Sequence, residues 1–153
     1  MSGLKVLITG TNKGIGYDLV KVFLKNQPEA TIFATSRDGE EKASLRWKDI
    51  DSKNAVQCRE LEVGSTESIK NLAESLKNSK EKLDIIINNA GVGNGTNIKD
   101  FFDKPADPEY AKHMIHINTM AVIEVTKALL PFLSDEGRVV NVSSTIAGLN
   151  NYP

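Results

Sequence analysis

The sequence predicts an α/β protein built on a doubly wound parallel sheet of strand order 3-2-1-4-5, and three observations carry that expectation. Short β-branched and aliphatic runs alternate with segments whose apolar residues recur at helical spacing. Four of the five runs are nearly continuous in apolar character, as parallel strands covered on both faces require. A glycine-rich turn joins the first run to the first helical segment. Strand, helix and strand in succession imply right-handed crossovers, with a ligand crevice between the first and fourth strands.

The first strand is Lys5-Val6-Leu7-Ile8, and a helix follows with Ile15, Leu19, Val22 and Phe23 on its inner face, ended by Asn26 and Pro28. Thr31 to Ala34 is the second strand. Gly39 to Asp51 reads as a short charged helix or a loop. The third strand, Val56 to Leu61, alternates and suits a sheet edge. Thr66 is the expected cap of the next helix, with Ile69, Leu72, Ala73 and Leu76 facing inward. Asp84 to Ile87 is the fourth strand. Asp107-Pro108 opens the longest helix, 107–130, where Tyr110, Met114, Ile117, Ala121, Val125 and Ala128 share a face until Pro131 closes it. Arg138 to Val142 is the fifth strand.

With 153 residues the chain has the length of one domain, and no linker, repeat or low-complexity tract divides it. Its 19 basic and 20 acidic residues leave a net charge of −1, which argues against nucleic acid as a partner, because phosphate neutralisation demands a basic excess. The same balance argues against an acidic disordered chain. The single cysteine, Cys58, forms no internal disulfide, and no Cys/His cluster has metal spacing, so no metal is expected. No apolar run reaches spanning length and Lys5 interrupts the first one, so no membrane or signal segment is expected. The default is a soluble, cytoplasmic protein of a reducing compartment.

The turn after the first strand is Thr9-Gly10-Thr11-Asn12-Lys13-Gly14-Ile15-Gly16. Gly10 permits the tight turn, Gly14 lets backbone approach a pyrophosphate, and Gly16 lets helix pack on sheet. The helix N-terminus then presents free N–H groups and a partial positive charge to phosphates. A triphosphate loop is excluded, because no Gly-Lys-Ser or Gly-Lys-Thr stands at the required distance. At the end of the second strand, Ser36 stands where an acid would hold ribose hydroxyls, with Arg37 beside it. Arg37 and Lys13 favour the 2′-phosphorylated cofactor NADP(H), whereas NAD(H) is admitted if Asp38 turns inward.

The glycine spacing resembles the cofactor loop of the short-chain dehydrogenase/reductase family, whose fold is of the Rossmann type. Three further motifs match in the family's order: Asn88-Asn89-Ala90-Gly91 after the fourth strand, Asn118 within the long helix, and Val140-Asn141-Val142-Ser143-Ser144 at the end of the fifth. The Asn-Lys-Gly-Ile-Gly stretch looks like the loop of the small, sniffer-like carbonyl reductases. The resemblance covers the whole chain. It implies a cofactor site of Gly10, Thr11, Asn12, Lys13, Gly14, Ile15, Gly16, Arg37, Glu62, Val63, Asn89, Ala90 and Gly91. Glu62-Val63 stands where the family's acid–aliphatic pair meets adenine, with Glu in place of Asp, and Asn89 is also placed to brace the sheet.

The family's chemistry uses a Tyr that protonates the developing alkoxide, a Lys that lowers its pKa, a Ser that orients the carbonyl and an Asn that holds a water. Ser144 matches that Ser and Asn118 that Asn, so these are the expected catalytic residues. Strand alternation sends Ser143 to the opposite face, and Asn118 is expected as a buried amide with partners. His113 and His116 are expected to be partly exposed and outside the chemistry. The family's Tyr-x-x-x-Lys is not found beyond Ser144: Tyr152 follows after only eight residues, and the chain ends at Pro153. Tyr152 is read instead as a substrate-loop residue, and the chain as a family member lacking the C-terminal strands. It is expected to bind cofactor without turning over, and to leave the outer face of helix 107–130 and the edge of its last strand uncovered, inviting self-association. The expected function is NADPH-dependent reduction of aldehydes or ketones by the family's complete form. The alternative is a non-catalytic NADP(H)-binding sensor or interaction module.

Overall fold

The structure, a computed structural model, describes residues 3–51, 55–93 and 107–144. Tyr152 lies outside them. The strands are β1 (Lys5–Ile8), β2 (Thr31–Ser36), β3 (Val56–Glu60), β4 (Leu83–Asn88) and β5 (Leu133–Asn141). The helices are α1 (Gly14–Asn26), α2 (Glu40–Leu45), α3 (Thr66–Asn78), α4 (Pro108–Ile115) and α5 (Ala121–Leu129). A π-turn at His116–Met120 joins α4 to α5, and a 3-10 turn at Leu130–Phe132 leads into β5. The sheet is parallel throughout and runs β3-β2-β1-β4-β5. Its order is the predicted one.

Side-chain alternation sorts the strands' apolar residues into two cores. Leu7, Phe33 and Ile86 face α3 and α5, meeting Ile69, Leu72, Leu76, Val125 and Leu129. Val6, Ile8, Ile32, Ala34 and Ile87 face the other way, onto Val20 of α1 and onto Ala43 and Trp47 in and after α2. Cys58 belongs to this second core, is free, and burial pushes its thiol above the ordinary value. Among the described residues no helix is long and apolar enough to cross a membrane, and no group of three His, Cys, Asp or Glu is placed to hold a metal ion.

Several local expectations are corrected. On α1, Ile15 and Val22 are exposed, while Gly16 and Val20 are buried with Leu19 and Phe23 beside them. Gly16 packs against the Gly10 carbonyl and the Asn89 side chain, so the buried seam of α1 runs through Gly16 and Val20, with Ile15 outside it. The cap of α3 is Ser65, whose hydroxyl accepts from Ser68 N at 3.2 Å, and Thr66 is the first helical residue. Asp107 caps α4 as expected, accepting from Glu109 N and Tyr110 N with Pro108 in the first turn.

The longest helix is not continuous α-helix, because the π-turn inserts a wider turn at His116–Met120. β5 begins at Leu133, earlier than Arg138, with its register shifted opposite Leu83 and Ile85. Ser134-Asp135-Glu136-Gly137 lies within the strand. Nor is β5 covered on both faces: Val139 packs against the core, while Val140 is 44% exposed. The segment after Gly39 resolves into α2.

Leu7 is fully buried at the sheet centre, so Leu7→Ala is expected to cost about 2–5 kcal/mol through lost transfer energy and a cavity. Leu45→Ala, at a side chain 67% exposed, is expected to stay within about 0.5 kcal/mol. Urea unfolding of the two variants checks this, and equal losses would contradict the assigned core.

Candidate dinucleotide site

The site begins where β1 ends. Thr9 is buried, and its Oγ1 accepts from the backbone N–H groups of Asn89 and Ala90, both at 2.9 Å. In return, Asn89 Nδ2 donates to the carbonyls of Thr9 at 2.9 Å and Gly10 at 3.2 Å. Four hydrogen bonds thus lock the start of the turn to the end of β4. On the other side, Thr11 N and Thr11 Oγ1 both donate to the Thr35 carbonyl, at 3.0 and 3.1 Å. The turn is held from both neighbouring strands.

Three glycines make that geometry possible for different reasons. Gly10 adopts φ +71°, and a Cβ there would lie 2.8 Å from Ala90 Cα. At Gly16 a Cβ would lie 2.3 Å from the Gly10 carbonyl oxygen and 2.5 Å from Asn89 Nδ2, so helix and turn would separate. Gly14 has φ +60° but nothing within 4 Å of where a Cβ would stand. Its conformation demands glycine, and open space lies beside it.

That space belongs to a cleft of about 390 Å³ above the junction of β1 and β4. Of the residues expected at a cofactor, it is lined by Gly10, Asn12, Lys13, Gly14, Ile15, Arg37, Glu62, Val63, Asn89, Ala90 and Gly91. Thr11 and Gly16 do not line it; they sit beneath the turn as its tether and its packing contact. Ser36, Leu61, Val92, His113 and Ile117 complete the wall. No side chain caps α1, in contrast to α3 and α4, so its first-turn N–H donors and positive dipole end are left for an anion in the cleft.

Charges are unevenly placed at the far end of the cleft. Arg37 Nε lies 3.5 Å from Glu62 Oε2, an exposed pair with little net strength that either partner can leave. Asp38 does not line the cleft. Its Oδ2 accepts from Arg46 at 2.8 Å and from Asn12 Nδ2 at 3.2 Å. His116 Nε2 lies 3.2 Å from the Gly64 carbonyl, and a Cβ on Gly64 would lie 2.7 Å from Ile117 Cδ1. This contact brings the π-turn down over the segment that follows β3.

Asn118 is exposed, not buried, because the π-turn gives the inward position to Ile117. Its amide is nonetheless anchored at both ends: Oδ1 accepts from Val92 N at 2.9 Å and Nδ2 donates to Val92 O at 2.8 Å. Gly91 permits the approach, since its Cβ would stand 3.1 Å from Asn118 Oδ1. Ser143 and Ser144 are both exposed and lie beyond the end of β5, so strand alternation does not separate them. The Tyr-x-x-x-Lys spacing does occur once, at Tyr17 and Lys21 on α1. There Tyr17 stacks on Trp47 at 5.0 Å with Lys21 over its ring, and neither residue lines the cleft.

Sequence reasoning missed Thr9, the buried residue directly after β1, whose hydroxyl holds the turn. It also missed the network behind the site. Asn88 Nδ2 donates to Thr126 Oγ1 at 2.9 Å and to Asn141 Oδ1 at 2.8 Å, joining β4 to α5 and β5.

Thr9→Val removes the acceptor of two partly buried N–H groups at nearly constant shape and is expected to cost about 1–3 kcal/mol, whereas Thr9→Ser keeps it. Denaturant unfolding of both variants checks this; a Val variant as stable as the Ser variant would remove the clamp from the account.

Residues 4–153 match the family described as short chain dehydrogenase. The chain is 31% identical to a (+)-neomenthol dehydrogenase of Arabidopsis thaliana, over 95% of this chain and 55% of that protein. It is 33% identical to an NADP-dependent 3-hydroxy acid dehydrogenase of Schizosaccharomyces pombe, over 99% of this chain and 58% of that one. Among solved structures, the NADPH-bound carbonyl reductase from chicken fatty liver superposes with a TM-score of 0.79 at 27% identity, covering 98% of this chain and 62% of that one. The chain therefore spans a little over half the length of these relatives. On its sheet order, its glycine turn and a family match running almost end to end, this chain belongs to the short-chain dehydrogenase family.

Proposed function

We propose that this chain is the NADP(H)-binding part of an oxidoreductase that moves a hydride between a nicotinamide and the carbonyl carbon of an aldehyde or ketone. The observation that carries the reading is the pinned glycine turn running into an uncapped α1 at the floor of the cleft. The residues fit such a cofactor. The turn and the free N–H groups of α1 suit its diphosphate, and the open space beside Gly14 leaves room for it. Lys13 and Arg37 on the wall suit a 2′-phosphate, with Arg37 exchanging Glu62 for the more highly charged group. Two of the relatives carry NADP or NADPH in their names, which supports this choice.

Bound there, the nicotinamide supplies the hydride, and the chain's own residues bind and orient. Asn89, Ala90 and Gly91 form the wall beyond the turn, held rigid by Thr9. Asn118 fixes Val92 and so the direction in which the chain leaves β4. Ser144, carried just past the end of β5, is the residue proposed to donate to the carbonyl oxygen as charge develops on it. The proton donor of the resembled family, a Tyr followed by Lys four residues on, has no counterpart after Ser144 in residues 145–153. This 153-residue polypeptide is therefore proposed to bind NADPH without reducing carbonyls. Self-association through the exposed Ile115, Met120, Ile123 and Leu130 of the α4–α5 segment is part of the same reading, and a monomer by sedimentation at micromolar concentration would remove it.

Calorimetric titration with NADPH and NADH tests the cofactor directly. Wild-type chain is expected to prefer NADPH, and Arg37→Ala to weaken NADPH by about tenfold or more while leaving NADH nearly unchanged, because a charged hydrogen-bonded pair is lost. Equal loss for both dinucleotides, or no heat from either, would overturn the assignment. In the same samples NADPH absorbance should stay constant over a panel of aldehydes and ketones; steady oxidation at a rate typical of complete reductases would contradict the proposed lack of turnover.

A further inference from the structure

Arg46 has no place in the cleft wall, yet it makes a close, partly buried charge contact. Its Nη2 donates to Asp38 Oδ2 at 2.8 Å, and the two side chains are only 20% and 27% exposed. Asn12, from the glycine turn, donates to the same oxygen at 3.2 Å, and Asp38 N donates to Ser36 Oγ at 3.3 Å. Arg46 Nη1 is buried and has no hydrogen-bond partner among the described residues. The partly buried setting makes the pair stronger than the open Arg37–Glu62 pair nearby.

Asp38 is the carboxylate adjoining Arg37, just past the end of β2, where an acid selects the dinucleotide with a free ribose 2′-hydroxyl. An unpaired carboxylate there would accept from that hydroxyl and repel a 2′-phosphate. In this structure Arg46 and Asn12 draw it aside, and it does not line the cleft. We infer that Arg46 is a specificity-determining positioning residue: by holding and neutralising Asp38, it keeps that carboxylate from opposing a 2′-phosphate at Arg37 and so selects NADPH over NADH. The inference rests on the reading of the cleft as a dinucleotide site, and goes further by naming what silences the competing acid. Arg46 touches neither nucleotide; it acts through Asp38.

The test is the ratio of NADPH to NADH affinity, measured by calorimetry on the full 153-residue chain, with circular dichroism on each variant. Arg46→Met is expected to weaken NADPH and strengthen NADH, lowering the ratio on the order of tenfold, as one uncompensated charge near the phosphate implies. Arg46→Lys keeps a cation beside Asp38 and should restore most of the ratio. Adding Asp38→Asn to Arg46→Met should also restore it, which a merely structural role of Arg46 does not predict. If Arg46→Met fails to fold, Arg46→Lys against Arg46→Gln gives the same comparison. Equal weakening of both dinucleotides, an unchanged ratio, or no rescue by Asp38→Asn would overturn the inference while leaving the cleft assignment standing. A wild-type chain that binds neither dinucleotide would overturn the cleft assignment, and this inference with it.

Discussion

The joint between Thr9 and Asn89 is the constraint on which the site depends. β1 and β4 are neighbours in space but far apart in sequence, and the chain departs to opposite faces of the sheet after each. Such a switch point opens a crevice at the carboxyl ends of the strands whatever the side chains are. It gives the turn no rigidity, however. That comes from one buried hydroxyl accepting two N–H groups and one amide donating to two carbonyls. The bonds are partly buried, and leaving any of the groups unpaired is costly, so the turn has one arrangement in place of many. Gly10 and Gly16 are consequences of that joint, because Ala90 and Asn89 occupy the space a side chain would need.

The electrostatics of the cleft follow from where its charges are anchored. The floor is positive without any charged side chain, through the uncapped end of α1. Of the two carboxylates at the far end, Glu62 is held loosely by Arg37, whereas Asp38 is held firmly by Arg46 and Asn12. The loosely held pair can be rearranged by an incoming anion; the firmly held one is withdrawn. A chain of near-zero net charge thereby presents a locally cationic wall. Bulk composition says nothing of this, because it depends on which acid is paired with which base.

Much of the fold was legible because parallel strands buried on both faces leave little ambiguity: Lys5 to Ile8 and Thr31 to Ala34 read as strands from their apolar continuity alone. The glycine turn was equally plain and pointed to Gly10, Asn12, Lys13, Gly14 and Ile15 of the cleft wall, whereas Glu62, Val63, Asn89, Ala90 and Gly91 followed from the family resemblance. What escaped was set by tertiary contact. The seam of α1 runs through Gly16, packed on the Gly10 carbonyl and Asn89, and leaves Ile15 out, and the π-turn exposed Asn118 while burying Ile117. Periodicity assumes an unbroken helix and detects neither event. The early start of β5 hid behind Ser134-Asp135-Glu136-Gly137, a stretch with turn chemistry drawn into the sheet beside Leu83 and Ile85. Arg46 carried no signal either, since its partner is fixed by the fold of α2 back onto the end of β2.

Amide chemical shifts of the isotopically labelled chain, followed through a titration with NADPH, test the central claim most directly. The account predicts saturable shifts concentrated at residues 10–16 and at Arg37, Glu62, Val63, Asn89, Ala90 and Gly91, with the outer face of α1 around Val22 and Lys25 unaffected. Shifts confined to that outer face, or none that saturate, would contradict it.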